Sequence, residues 1–126
     1  MKFTLGKAER LKSKKLIERL FEEGSSLKVY PFKLVYLKTP HTSDFPVQAA
    51  FSVPKRRFKK AVDRNRIKRL LREAYRLEKQ IVYEGVNDSF VFMITFIGKE
   101  EPTFVNVKKD IHKLLNVFVE ELKSET

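Results

Sequence analysis

The 126 residues carry 27 Lys or Arg, 16 Asp or Glu and no Cys, which gives a formal net charge of +11. The absence of cysteine excludes disulfide bonds and thiolate metal sites, and a hydrophobic fraction of 42% is not that of a disordered chain. We therefore expect one domain over residues 1–126, with residues 1–10 loosely held.

The beginning of the chain lacks the long apolar core of a secretory signal. The longest apolar run, residues 90–97, is too short to span a bilayer. These two features predict a cytoplasmic protein with no membrane partner.

The N-terminal part of the chain predicts a helix followed by two strands. Ser13 is placed to cap the helix and Gly24 to end it, because the apolar residues between them recur at helical spacing. Residues 27–30 and 32–38 are rich in strand-forming residues, and Pro31 separates them.

Residues 47–53 predict a further strand, because their two faces differ in polarity. Ala49, Phe51 and Val53 form the more apolar face, which we expect to pack in the core. The other face leaves a small, flat polar surface made by Gln48, Ala50 and Ser52.

The rest of the chain predicts a helix, a strand and a last helix. The first of these begins by about Lys60 and runs to roughly Val82, and Thr103 is placed to cap the last one. Residues 90–97 are apolar almost throughout, as expected for a central strand covered on both faces. The order α-β-β-β-α-β-α predicts an α+β sandwich with one mixed or antiparallel sheet.

Most of the excess positive charge lies in residues 55–72, which hold ten Lys or Arg and one Asp. The other 108 residues are nearly balanced, with 17 basic and 15 acidic side chains. One surface of the protein is therefore expected to meet a dense polyanion.

A rotation of about 100° per residue divides residues 64–81 into two faces. The apolar face is formed by Ile67, Leu70, Leu71, Ala74, Leu77 and Ile81, and the cationic face by Asn65, Lys68, Arg69, Arg72, Arg76 and Lys79. Arg66 falls outside the cationic face. A solvated helix face normally mixes charges, whereas helical neighbours such as Arg64 and Lys68 repel each other here, so we favour a nucleic-acid partner.

The predicted elements also indicate which nucleic acid. Strands flank the basic helix on both sides, so the paired helices of a helix-turn-helix are missing. Aromatic side chains on a sheet beside a basic helix suit single-stranded or structured RNA, whose unstacked bases lie on aromatic rings. Tyr36 and Phe21 are the candidates for stacking, with ordinary core packing as the alternative for each.

Residues 61–73, Ala-Val-Asp-Arg-Asn-Arg-Ile-Lys-Arg-Leu-Leu-Arg-Glu, closely resemble the Arg-Asn-Arg signature of the bacterial ribonuclease P protein family. Residues 51–56 look like the strand that leads into the signature in that family. The segments 10–24, 34–36 and 107–122 also fall where the family has them, so the resemblance covers almost the whole chain.

The resemblance implies a ribosomal-protein-S5-like fold with a left-handed β-α-β crossover through the basic helix. It implies a holoenzyme that removes the 5′ leader of precursor tRNA by hydrolysing one phosphodiester bond. The large RNA subunit, with Mg²⁺, would do the chemistry. The protein would supply no catalytic residue, bind no metal or cofactor itself, and be present once per RNA.

Two groups of site residues follow from the resemblance. The basic helix would bind the RNA subunit through Arg64, Asn65, Arg66, Lys68, Arg69 and Arg72. A cleft between the sheet and the first helix would hold the single-stranded leader through Ile17, Phe21, Leu34, Tyr36, Ser52, Lys55, Arg56 and Lys99.

Two alternatives stay open at this point. The helix chemistry fits a non-enzymatic ribosomal or assembly protein equally well, and only the extended signature favours the ribonuclease. A basic amphipathic helix on an anionic membrane is the weaker alternative, because the core needs the apolar face. Neither His41 nor His112 belongs to a local constellation of Ser, Cys and carboxylate side chains of the kind that nucleophilic catalysis uses, which agrees with a non-catalytic protein.

Overall fold

A computed structural model describes residues 5–124, and its helices and strands follow the expected order with two short additions. The additions are a 3₁₀ turn at Lys7–Glu9 and a short helix after the basic helix. The elements are the 3₁₀ turn, α1 (Lys14–Glu23), β1 (Ser25–Val29), β2 (Phe32–Lys38), β3 (Val47–Ser52), α2 (Ala61–Glu78), α3 (Gln80–Gly85), β4 (Phe90–Phe96) and α4 (Phe104–Ser124).

The strands form one sheet in the order β1-β2-β4-β3. The pairs β1–β2 and β2–β4 are antiparallel, and β3 runs parallel to β4. Helices α2 and α3 connect the two parallel strands, as a crossover between parallel neighbours requires. The predicted mixed sheet is confirmed, while the left hand of the crossover stays a prediction.

Strand β4 lies inside the sheet with a helix layer on each face, which explains why nearly all of its side chains are apolar. On one face, α2, α3 and α4 cover the main core. The ring of Phe118 from α4 lies 4.9 Å from Phe92 and 4.9 Å from Tyr36, both in edge-to-face geometry. These aromatic contacts attach α4 to the sheet.

On the other face, α1 covers a smaller core. Leu11, Leu20, Val35, Val91 and Met93 are buried there, with half-buried side chains from α1 packed against them. The side chain of Ser13 accepts a hydrogen bond from the backbone N–H of Leu16 at 3.2 Å, so the predicted cap is confirmed.

The basic helix ends earlier than predicted. Lys79 separates α2 from α3, and its carbonyl oxygen accepts hydrogen bonds from the backbone N–H groups of both Val82 and Tyr83 at 3.0 Å. Lys79 is only 4% exposed, and its ammonium group is bonded to the Glu9 carboxylate. The break therefore lies where a side chain of the helix reaches into a buried ion pair.

Residues 5–10, the part of the stretch predicted to be loosely held that the structure describes, make defined contacts, and the looseness itself stays a prediction. Arg10 pairs with Ala49 along the outer edge of β3, and the backbone N–H of Leu11 donates to the Ala49 carbonyl at 2.9 Å. Glu9 is 2% exposed. The segment covers an edge strand that would otherwise present unpaired backbone groups.

Candidate nucleic-acid interface

Four side chains of α2 form a polar surface that we call the α2 stripe: Asn65, Lys68, Arg69 and Arg72. Asn65, Arg69 and Arg72 are exposed and Lys68 is half-buried. Among the described residues, none of the four side chains has a hydrogen-bond or ion-pair partner. The stripe thus presents three cations and one amide with no anion to balance them, as the helical rotation predicts.

Arg64 has a different local role from the stripe. Its guanidinium donates to the carbonyl oxygens of Phe58 at 2.9 Å and Lys59 at 2.8 Å. These bonds fix the turn before α2, where the N-cap residue, Lys60, supplies no side-chain cap. Arg64 therefore holds the beginning of the helix against the preceding basic loop.

Arg66 points away from the stripe, as its rotation predicts. Its guanidinium lies 2.7 Å from the Asp63 carboxylate and 3.2 Å from that of Glu101, in the loop before α4. The two acids already neutralise this cation, so Arg66 is the member of the signature least available to an added anion.

The cationic face is shorter than the rotation predicts. Arg76 is paired with Glu73, and the hydrogen bond from its guanidinium lowers the pKa of the Glu73 carboxyl. Lys79, predicted on this face, is buried instead. The unpaired part of the face therefore ends near Arg72.

The apolar face of α2 is buried in the core. It is therefore not exposed to insert into a membrane surface, as the membrane alternative would require. Ile67, Leu71, Ala74 and Tyr75 are all buried against the sheet and α4. Within residues 5–124, no helix is long and apolar enough to cross a membrane.

The assignment of Leu34 and Tyr36 to a cleft beside α1 is wrong. Both are buried in the main core, on the face of the sheet that α2 and α4 cover. Neighbouring residues of a strand point to opposite faces, so Lys33, Val35 and Leu37 are the β2 residues that face α1.

The other predicted cleft residues lie on or near the α1 face. Ile17 is half-buried against the α1 core, and Phe21, on the same helix, is 60% exposed. Ser52 lies at the end of β3, and Lys55 and Arg56 are exposed just after it. Lys99 is exposed beyond the end of β4, at the same end of the sheet, because β3 and β4 are parallel.

A row of polar side chains crosses the sheet at this end, which we call the polar row: Lys28, Lys33, Thr95 and Ser52. Direct pairing in the sheet joins Lys28 to Lys33, Lys33 to Thr95, and Thr95 to Ser52. All four lie on the α1 face, beyond the residues that α1 buries. Together with Lys55 and Arg56 the row forms a second cationic surface.

Sequence reasoning missed Lys28, Lys33 and Thr95, although a signal was available. Phe32, Leu34 and Tyr36 form one face of β2 at period two, which leaves Lys33 and Val35 on the other. The pairing of β1 and β4 with β2, which brings Lys28 and Thr95 beside Lys33, needed the structure.

The described residues contain no group of three or more His, Cys, Asp or Glu side chains placed to hold a metal ion. The Nδ1–H of His112 donates to the Glu78 carboxylate at 3.0 Å, on the surface between α2 and α4. What the site offers is cationic and hydrogen-bonding groups for an anionic ligand.

A family model described as Ribonuclease P matches residues 5–119. The chain belongs to the ribonuclease P protein family. The match includes both cationic surfaces and all four strands. Membership assigns the chain to tRNA processing, as the protein component of an endoribonuclease.

Curated relatives of the ribonuclease P protein family match along most of this chain. The ribonuclease P protein component of Porphyromonas gingivalis is 38% identical over 119 residues, covering 90% of this chain and 85% of that protein. The component from Chlorobium phaeobacteroides is 37% identical over 135 residues, covering 94% and 91%.

Solved ribonuclease P proteins have the same fold. The RNase P protein from Thermotoga maritima gives a TM-score of 0.69 at 25% identity and covers 86% of this chain and 96% of its own. The Staphylococcus aureus RNase P protein also gives 0.69, at 20% identity, with 88% and 95% covered.

Proposed function

We propose that the α2 stripe binds the RNA subunit of ribonuclease P and that the polar row binds the 5′ leader of precursor tRNA. The stripe carries the first assignment: Lys68, Arg69 and Arg72 are adjacent cations without anionic partners on a helix that bears the family signature. Such a surface gains free energy when phosphates replace its counterions.

The roles within the signature differ in this proposal. Asn65, Lys68, Arg69 and Arg72 contact the RNA. Arg64 shapes the basic turn before the helix, because it holds two backbone carbonyls there. Arg66 contributes less to RNA affinity, since Asp63 and Glu101 already neutralise it.

The leader assignment is supported by the charges of the polar row. Lys28 and Lys33 are directly opposite each other on antiparallel strands, and both are exposed. Like charges in this position destabilise a sheet, so an anion that bridges them removes a cost already present in the protein. The exposed ring of Phe21 offers a stacking surface on the α1 side.

The chemistry of phosphodiester hydrolysis is assigned to the RNA subunit and Mg²⁺, with one protein per RNA. The protein contributes binding: it neutralises phosphates of both RNAs and so holds the precursor near the reacting bond. On this proposal its effect is largest at low salt and falls as added cations replace it.

Cleavage of a precursor tRNA by the RNA subunit, with and without the protein, tests the proposal. At physiological salt the protein alone should leave the precursor intact, and adding it to the RNA should raise the rate. Sequencing of the RNA that copurifies should show one catalytic RNA. Ribosomal RNA in its place, or cleavage that is equally fast without the protein, would overturn the proposal in favour of a ribosomal or assembly role.

A further inference from the structure

Glu9 is an acidic residue close to a surface that is otherwise cationic. It is 2% exposed, and its carboxylate is bonded to the buried ammonium of Lys79. The Tyr83 hydroxyl donates to it at 2.6 Å and the backbone N–H of Gly6 at 3.0 Å. A buried carboxylate satisfied by three donors fixes its own backbone firmly.

The backbone fixed in this way is the N-terminal segment, residues 5–12. Beyond Glu9, the N–H of Leu11 is bonded to Ala49 on the edge of β3, and the amide of Gln48 donates to the Ala8 carbonyl at 3.3 Å. The segment is therefore held at both the sheet edge and the α2–α3 junction. Its side chains Arg10 and Lys12 are left exposed.

Arg10 and Lys12 face basic residues of α2 across a groove. Two adjoining depressions of about 360 and 510 Å³ share Leu5, Arg10 and Arg72 in their walls. Lys12 lines the first depression, and Arg69 and Arg76 line the second. The acid among the lining residues, Glu73, is already paired with Arg76. The groove thus has cations on both walls.

We propose that this groove binds the phosphate backbone of the ribonuclease P RNA subunit, with Glu9 as the positioning residue that places Arg10 and Lys12 opposite the α2 stripe. The inference rests on the proposed function, because Arg69 and Arg72 belong to the stripe assigned to that RNA. It extends the interface from one helix to a two-walled groove.

An effect of net charge alone and a positioning role predict opposite changes in RNA affinity when Glu9 is replaced. Removing an acid from a polyanion-binding protein should raise its affinity if only net charge matters. If Glu9 holds one wall of the groove, removing it should lower the affinity. The double variant Glu9→Gln/Lys79→Met separates the two effects, since it leaves the net charge unchanged and no buried charge unpaired.

The experiment measures binding of the full chain to a transcript of the ribonuclease P RNA subunit at several salt concentrations. Glu9→Gln/Lys79→Met and the surface variant Arg10→Gln/Lys12→Gln should both bind more weakly. For Arg10→Gln/Lys12→Gln, the slope of log K against log salt should become shallower by about 1.4–1.8, as for the loss of two phosphate contacts. Thermal unfolding monitors whether each variant is folded.

A matched control, Lys113→Met/Glu120→Gln, removes one exposed cation and one exposed acid from α4. Like Glu9→Gln/Lys79→Met, it leaves the net charge unchanged. It should bind like the parent. Parent-like affinity and salt slope in both groove variants would overturn the inference and leave the proposed function standing. Failure of the parent protein to bind the RNA would overturn both.

Discussion

Tyr36 and Lys33 are three positions apart on β2 and point to opposite faces of the sheet. Tyr36 is buried against Phe118, and Lys33 is exposed in the polar row. A substitution at each position therefore tests a different property of the protein.

Tyr36→Ala should destabilise the fold by about 3–5 kcal/mol, because it removes a large ring from a packed core. The measurement is the midpoint of denaturant unfolding. Lys33→Ala should leave that midpoint nearly unchanged and weaken binding of leader-bearing precursor relative to mature tRNA. A stable Tyr36→Ala protein with a selective leader defect would restore the original cleft assignment.

Arg64 and Arg69 are both basic residues of the signature, but their surroundings differ. Arg64→Ala leaves the carbonyls of Phe58 and Lys59 without their side-chain donor, so it should lower both the stability and the RNA affinity. Arg69→Ala should leave the melting temperature unchanged and make the salt slope shallower by about 0.7–0.9. Equal melting temperatures for the two variants would contradict this distinction.

Some helix ends could be predicted from the sequence and others could not. Ser13 and Thr103 cap α1 and α4 with bonds to residues three positions on, so local pattern sufficed. The break between α2 and α3 depends on Lys79 reaching Glu9, seventy positions earlier. No local pattern contains that contact, and the same contact explains why residues 5–10 are held.

The attachment of the N-terminal segment should depend on pH. Burial opposes ionisation of Glu9, but hydrogen bonds from Lys79, Tyr83 and Gly6 outweigh it and hold its pKa below the ordinary 4.5. A carboxyl with a lowered pKa stabilises the fold above its unfolded pKa, and the contribution is lost as pH falls through the folded value. The pair should therefore hold at neutral pH and weaken well below pH 4.5.

Unfolding free energies at neutral pH and near pH 3 measure this effect. The parent should lose more stability on acidification than Glu9→Gln/Lys79→Met does. Burial also opposes ionisation of Glu78, but hydrogen bonds from His112 and Lys108 lower its pKa. Its contribution to acid sensitivity should be the same in both proteins. Identical acid sensitivity in the two proteins would show that Glu9 is not the titrating group.

For the whole molecule, the order of elements and the mixed sheet could be predicted because each element carries its own periodicity. The α2 stripe was also predictable, since one helix holds all of its residues. The polar row was not, because Lys28, Lys33, Thr95 and Ser52 come from four strands and meet only through their pairing. A site on one element is visible in sequence, whereas a site across a sheet requires its register.

We propose that one small protein serves two RNAs with two cationic surfaces. The surfaces are the α2 stripe, for the RNA subunit, and the polar row with Lys55 and Arg56, for the leader. They share no residue, so substitutions in one should leave the function of the other in place.

The most direct measurement compares Arg69→Ala/Arg72→Ala with Lys33→Ala/Lys55→Ala in two assays. One assay measures assembly with the RNA subunit, and the other measures the preference of the assembled enzyme for leader-bearing precursor over mature tRNA. The first variant should assemble more weakly but keep the preference once assembled, and the second should assemble normally but lose the preference. Equal losses by both variants in both assays would contradict separate roles for the two surfaces.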